Sequence, residues 1–122
     1  MDIPRLKERE EALALYEASR AQHLADTINP ALEKGRIVIC DRFTDSSAVY
    51  QGVARGISAK IVDGLNKIAT GGLMPKRTFV LDLDPSVGLQ RVTKRGEALD
   101  RIEAEKLSFH KAVRAGYKRL AL

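Results

Sequence analysis

The chain has 122 residues, of which 44% are hydrophobic and 30% are charged, and its formal net charge is +5. This composition fits one soluble globular domain and excludes a chain that is disordered over most of its length. We expect no signal peptide and no membrane span, because the longest apolar runs, such as residues 37–40, are far shorter than the roughly 20 residues that a span requires. A single cysteine excludes an internal disulfide and favours a cytoplasmic location.

The first part of the chain predicts a long helix followed by a buried strand. Leu13, Tyr16, Arg20 and Leu24 fall at three- and four-residue steps and share one face, which indicates a helix over 6–28. Asn29-Pro30 then predicts a break, after which one further helical turn ends at Gly35. Residues 37–40 form a β-branched run without alternation, which is typical of a strand buried on both faces.

The second part predicts more helices around a second strand. Ser58 and Asp84 each precede a helical pattern as N-caps, and Gly71-Gly72 ends the first of these helices. We predict a loop over 95–100. The predicted elements are helices over 44–54 and 59–69, a strand over 78–83, and helices over 85–94 and 102–120.

This order of helices and strands indicates an α/β fold with parallel strands. Ligands of such sheets bind beyond the carboxyl ends of the strands. Asp41-Arg42 and Asp82–Asp84 follow directly after the two predicted strands, so we expect ligand-binding residues there.

The stretch from Asp41 to Gly52 carries the most chemical information. An arginine that leaves a buried strand can offer a permanently charged, forked donor to a phosphate. The adjacent carboxylate could orient that arginine or bind hydrated Mg²⁺, and hydroxyl, phenol and amide groups follow on the predicted helix. The alternative is structural: an Asp-Arg ion pair at a strand end, followed by a capped helix. The residues alone do not separate the two interpretations.

This stretch opens with Asp-Arg-aromatic, runs on to Tyr-Gln-Gly, and resembles the signature of bacterial-type thymidylate kinases. Four other segments resemble the same family in the same order along the chain, spanning roughly residues 13–120. The five segments are 16–23, 29–35, 41–52, 81–89 and 95–103.

The resemblance implies a P-loop NTPase-type fold with three layers, in which helices flank a parallel sheet. Residues 1–122 would form a single partial nucleoside monophosphate kinase domain, with a lid at about 95–103. The implied activity is transfer of the γ-phosphate of ATP to dTMP, with Mg²⁺, in a cytoplasmic homodimer. We expect neither nucleic acid nor a membrane as a partner.

The resemblance also implies a substrate pocket. Tyr16 would stack on thymine, and Arg20 would donate to a ring carbonyl oxygen. Ser47 would lie near the thymine N3 and carbonyl edge, Tyr50 would pack against the deoxyribose, and Gln51 would line the same pocket. The structural alternative for Arg20 is an exposed position on an amphipathic helix.

Phosphate chemistry would fall to other residues. By the resemblance, Arg42 holds the phosphate of the acceptor nucleotide, and Asp41 supports it and the metal shell. Arg95 matches a catalytic lid arginine of some bacterial relatives, since phosphoryl transfer needs positive charge around the migrating group. Asp100 and Glu103 could steady the lid through ion pairs with Arg101 or Arg91. The alternative is that these four residues form ordinary surface pairs.

Other metal and donor-phosphate chemistry is missing from the sequence. His23, His110 and Cys40 do not have the spacing of a metal site, and we expect Cys40 to be a small buried residue. No glycine is followed by lysine, so the chain contains no phosphate-binding loop of the Gly-Lys-Ser/Thr type. By comparison with the family, the central first strand of the sheet is also absent.

We therefore expect a truncated kinase that is inactive alone, while a split protein and a degenerate paralogue remain alternatives. Two other functions stay open. One is a P-loop kinase for a different nucleoside or deoxynucleoside monophosphate. The other is a non-catalytic basic module that binds nucleotide or RNA on a kinase scaffold.

Overall fold

The structure, a computed structural model, describes residues 8–96, 98–100 and 102–122. The chain divides into two compact units, with the boundary between Lys76 and Arg77. None of the helices in the described part of the chain combines the length and apolar character of a membrane span. The α-helices are α1 (Glu8–His23), α2 (Asn29–Glu33), α3 (Thr44–Ser46) and α4 (Ala59–Thr70) in the first unit, and α5 (Pro85–Lys94) and α6 (Leu107–Leu120) in the second.

The first helix continues past the break that the sequence predicts. A π-helical stretch, Leu24–Ile28, joins α1 to α2, and the backbone of Asn29 stays helical while its N–H donates to the carbonyl of Leu24. The predicted break at Asn29-Pro30 is therefore wrong. Pro30 lies in the first turn of α2, where its missing N–H costs no helical hydrogen bond. The helix ends before Gly35, which has a φ of +67° as the sequence predicts.

The core of the first unit lies between α1, α4 and a second π-helical stretch, Ser47–Ala54, that continues α3. Leu13, Ile57 and Val62 are buried together, and Leu65 packs against them. The helix predicted over 44–54 is thus present, although most of it is π-helical.

The buried face of α1 differs from the face that the apolar spacing indicates. Leu13 and Leu24 are buried, but Glu17 is buried between them, whereas Tyr16 is 49% exposed. A carboxylate is tolerated there because its Oε1 atom accepts hydrogen bonds from Arg20 and Ser47, as described below.

α4 closely matches its prediction. Ser58 is the N-cap residue, but its side chain makes no capping hydrogen bond. Gly71 and Gly72 end the helix with φ values of +60° and +83°, and the N–H of Gly72 donates to the Thr70 hydroxyl at 3.2 Å.

The two predicted strands are not observed: within the described residues, neither 37–40 nor 78–83 is paired as a strand. Ile37 and Ile39 are each 93% exposed, and Leu81 is 96% exposed. Cys40 is exposed as well, so its expected burial is wrong. A strand needs a neighbouring backbone to satisfy its hydrogen-bonding groups, and the described residues offer these segments none.

The second unit consists of α5, α6 and their connection. The Asp84 side chain caps α5 by accepting the N–H of Ser86 at 2.9 Å, as predicted. α6 begins at Leu107, five residues later than predicted. The delay has a local cause, because Asp100 and Glu103 instead hold a separate turn before the helix.

Candidate nucleotide-binding site

Arg20 stands at the centre of a buried hydrogen-bond network in the first unit. Its Nη1 atom donates to Glu17 Oε1, to Ser47 Oγ at 3.0 Å and to Asn66 Oδ1 at 2.8 Å. Its Nη2 atom donates to the backbone carbonyl of Phe43 at 3.0 Å. The Arg20 side chain is only 12% exposed, so the alternative of an exposed arginine on an amphipathic helix is wrong.

The aromatic ring of Phe43 completes the surroundings of this arginine. The Cζ atom of Arg20 lies 5.5 Å from the centre of the ring, a distance at which a guanidinium is attracted to an aromatic face. Acceptors around its edge and a ring beside it together fix the plane of the guanidinium.

Glu17 supplies the negative charge of the network. Its Oε1 atom accepts from Arg20 and also from the Ser47 hydroxyl at 2.7 Å. Glu17 is 5% exposed, and within the described part of the chain its Oε2 atom has no hydrogen-bond partner. Glu17 therefore neutralises the charge of Arg20 through Oε1 alone.

Asn66 joins the network from α4. Its Oδ1 atom accepts from Arg20, and its Nδ2 atom donates to the backbone carbonyl of Thr44 at 3.4 Å. Asn66 is 8% exposed. One buried amide therefore links α1, α3 and α4.

Arg42 has an unusual backbone and an aromatic neighbour. Its φ of +65° lies in the left-handed region, which residues other than glycine rarely adopt. Its carbonyl accepts a hydrogen bond from the Cys40 thiol at 3.2 Å, and its Cζ atom lies 5.3 Å from the centre of the Tyr50 ring. The structure thus brings together Arg42 and Tyr50, which were predicted to contact phosphate and deoxyribose respectively.

The other predicted residues of the first unit differ in exposure. Asp41 is exposed next to Arg42, and half of the Tyr16 side chain is open to solvent. Gln51 is buried, at 8% exposure. The described residues contain no group of three metal-binding side chains.

In the second unit, Glu103 organises the predicted lid. Its Oε1 atom accepts from Arg95 Nη2 at 2.8 Å. Its Oε2 atom accepts the N–H of Asp100 at 3.1 Å, while Asp100 Oδ1 accepts the N–H of Glu103 at 2.7 Å. This reciprocal pair has the form of a helix capping box. Arg91 is exposed near the end of α5, and Arg101 lies outside the described residues.

A second ion-pair cluster joins α6 to the residues before α5. Arg114 donates to both carboxylate oxygens of Asp82, at 2.6 and 3.0 Å. The hydrogen bond from Arg114 is the main reason why the pKa of Asp82 lies below its ordinary value. Hydrogen bonds from the Ser86 side chain and backbone lower the pKa of Asp84.

Sequence reasoning did not identify Glu17, Phe43 or Asn66 as parts of the site. Glu17 lies three residues before Arg20, which is the spacing of a helical ion pair, and this signal was available. Phe43 is the aromatic residue of the Asp-Arg-aromatic motif, but the motif assigns it no role. No sequence pattern connects Asn66 with a residue 46 positions away.

Comparison with known proteins gives a consistent result. A family model for thymidylate kinase matches residues 5–122. The thymidylate kinase of Solidesulfovibrio magneticus is 50% identical over 115 residues, which cover 89% of this chain and 55% of the relative. The thymidylate kinase of Symbiobacterium thermophilum is 55% identical over 107 residues, covering 88% of this chain and 49% of the relative.

A solved structure supports the same relationship. The thymidylate kinase from Ehrlichia chaffeensis aligns with a TM-score of 0.72 and 29% identity, over 98% of this chain and 55% of that one. The likeness implies the P-loop NTPase fold of that enzyme. The chain spans about half the length of the curated relatives that it matches. Because the family model and these relatives match almost the whole of its sequence, the chain belongs to the thymidylate kinase family.

Proposed function

We propose that this chain forms the dTMP-binding half of a thymidylate kinase, which transfers the γ-phosphate of ATP to dTMP when a phosphate-binding loop is also present. The observation that carries the proposal is the buried, oriented guanidinium of Arg20 in a chain of this family. An arginine held by protein acceptors is ready to donate to a ligand without further ordering.

Arg20 would recognise the base. Within the described residues, its hydrogen bonds come from Nη1 and Nη2, so the Nε–H can point to a carbonyl oxygen such as thymine O4. Ser47 stands 3.0 Å from the guanidinium and would lie along the same edge of the base. The exposed ring of Tyr16 would stack on thymine, and Gln51 would line the pocket.

Arg42 would hold the phosphate of dTMP, with Tyr50 beside the deoxyribose. The ring of Tyr50 lies against the Arg42 guanidinium and would limit the positions that this long side chain can adopt. The exposed carboxylate of Asp41 fits Mg²⁺, because that ion is usually held by one or two carboxylates together with water and phosphates. When bound, Mg²⁺ would neutralise charge on the phosphates.

Arg95 would act from the lid by stabilising charge on the transferred group. The ion pair between Arg95 and Glu103 supports this proposal because it restrains the Arg95 side chain, and Asp100 in turn accepts a hydrogen bond from the Glu103 backbone. We also propose that residues 37–40 and 78–83 become parallel strands in a single kinase domain that contains the central strand. Their exposed apolar side chains support this assignment. A cytoplasmic homodimer is the form that we expect.

A hybrid kinase tests the proposal. In it, this chain replaces the matching region of the Solidesulfovibrio magneticus relative, which supplies the rest of the protein. The hybrid kinase should convert dTMP to dTDP with ATP and Mg²⁺, whereas the 122-residue chain alone should show no turnover. A folded hybrid that phosphorylates another nucleoside monophosphate in preference to dTMP would reject the proposal.

A further inference from the structure

We infer that Asn66 is a positioning residue for base recognition: it holds the guanidinium of Arg20 in the orientation that reads the base. The inference rests on the proposed function of Arg20. Asn66 contacts Arg20 through Oδ1 at 2.8 Å and the Thr44 carbonyl through Nδ2 at 3.4 Å, and it has no predicted contact with the nucleotide.

The three acceptors of Arg20 Nη1 contribute differently to its orientation. Glu17 lies on the same helix and moves with Arg20. Ser47 is a hydroxyl whose hydrogen already donates to Glu17. Asn66 belongs to α4, 46 residues away, and approaches the guanidinium from a separate element. It is therefore the contact that ties the guanidinium of Arg20 directly to α4.

The amide is suited to this task because it does not rotate freely. Its two ends bond to different elements, so turning the amide over would break both hydrogen bonds. Asn66 is also 8% exposed, and a buried amide without partners is costly. Its orientation, and with it the position of the Oδ1 acceptor, is thereby determined.

The substrate readout follows from the chemistry at C4 of the pyrimidine. Uracil presents a carbonyl oxygen there and cytosine an amino group, while the rest of dUMP and dCMP differs only at N3. An arginine donor aimed at C4 therefore favours dUMP over dCMP. A substitution that lets the Arg20 guanidinium change orientation should reduce the preference for dUMP over dCMP. It should also raise KM for dTMP, with little change in kcat.

The test uses the hybrid kinase with Asn66→Leu, alone and combined with Arg20→Ala. Asn66→Leu should raise KM for dTMP roughly tenfold, as loss of a hydrogen bond to a charged group implies, and should reduce the preference for dUMP over dCMP. In the Arg20→Ala background it should have almost no further effect. Equal losses in both backgrounds, or an unchanged KM and preference, would overturn the inference.

Two further variants separate positioning from packing. Asn66→Asp keeps an acceptor for Arg20 but loses the donor to the Thr44 carbonyl, so it should retain more of the base preference than Asn66→Leu. Thr70→Val changes an equally buried residue one turn along α4, whose bond to Gly72 is local, and should leave the preference unchanged. If Asn66→Asp or Thr70→Val loses as much of the base preference as Asn66→Leu, the inference is wrong. An unmodified hybrid that neither binds nor phosphorylates dTMP would reject the proposed function and the inference together, whereas an active hybrid insensitive to Asn66 rejects the inference alone.

Discussion

Glu17 is a single carboxylate on which the buried part of the site depends. Removing it would leave the Arg20 guanidinium without its anion in a largely desolvated position. We expect Glu17→Ala to lower the free energy of unfolding of the hybrid kinase by about 3–5 kcal/mol, measured by urea denaturation. Glu11→Ala, at an exposed position of α1, should change it by less than about 0.5 kcal/mol. Similar small effects of both substitutions would contradict this account of the network.

Arg42 combines a functional charge with a strained backbone, and two substitutions separate these properties. Arg42→Ala keeps the left-handed φ on a residue with a Cβ, whereas Arg42→Gly removes that cost. Arg42→Gly should therefore be more stable than Arg42→Ala by about 1 kcal/mol. Both variants should lose dTMP affinity, because both lack the guanidinium. Thermal denaturation and dTMP titration measure the two effects, and equal stability of the two variants would argue against backbone strain.

Sequence motifs predict only some of the residues that form the site. The family motifs predict Arg20 and Ser47 as site residues, and in the structure Arg20 Nη1 lies 3.0 Å from Ser47 Oγ. The partners that orient Arg20 were missed, because a helix pattern assigns apolar residues to the core and does not anticipate a buried Glu17. Asn66 depends on a contact between distant parts of the chain, which local patterns do not encode.

At the scale of elements, helices were predictable wherever their end signals were local. Asp84-Pro85 and Gly71-Gly72 act through the backbone of their own neighbours. The two strands were not recovered, since a strand forms only with a partner backbone that local sequence does not supply. The two π-helical stretches, Leu24–Ile28 and Ser47–Ala54, lie inside the helices predicted over 6–28 and 44–54, and the sequence patterns did not separate them from α-helix.

The cap of α5 gives a prediction about pH. The pKa of Asp84 lies below its ordinary value of 3.8, because Ser86 donates to its carboxylate. A lowered pKa means that this contribution to stability is complete above the ordinary value and is lost as pH falls below it. Below about pH 4, the free energy of unfolding of the hybrid kinase should fall relative to that of its Asp84→Asn variant. Asparagine also caps a helix N-terminus, but its side chain does not titrate. Urea midpoints measured across this range test it, and parallel pH profiles would contradict it.

For the whole molecule, the apolar side chains of residues 37–40 and 78–83 determine the behaviour of the isolated chain. Ile39 is 93% exposed and Phe79 is 86% exposed, and unpaired apolar segments associate readily. The 122-residue chain should therefore be marginally stable or self-associate, with a concentration-dependent sedimentation profile. Ile39→Lys with Phe79→Lys should reduce association, whereas Lys60→Arg should not. A monomer with a sharp, concentration-independent melt would contradict this expectation.

The proposed roles of Arg20, Arg42 and Arg95 differ, so their variants should show three different kinetic patterns. Steady-state kinetics and dTMP titration are measured on the hybrid kinase with Arg20→Ala, Arg42→Ala and Arg95→Ala. Arg42→Ala should lower both dTMP affinity and kcat/KM, by about 1.5–3 kcal/mol or more. Arg20→Ala should mainly raise KM for dTMP and weaken discrimination between bases. Arg95→Ala should lower kcat while dTMP affinity stays nearly unchanged. If Arg95→Ala weakened dTMP binding while kcat held, or if Arg20→Ala left base discrimination intact, the proposed roles would be wrong.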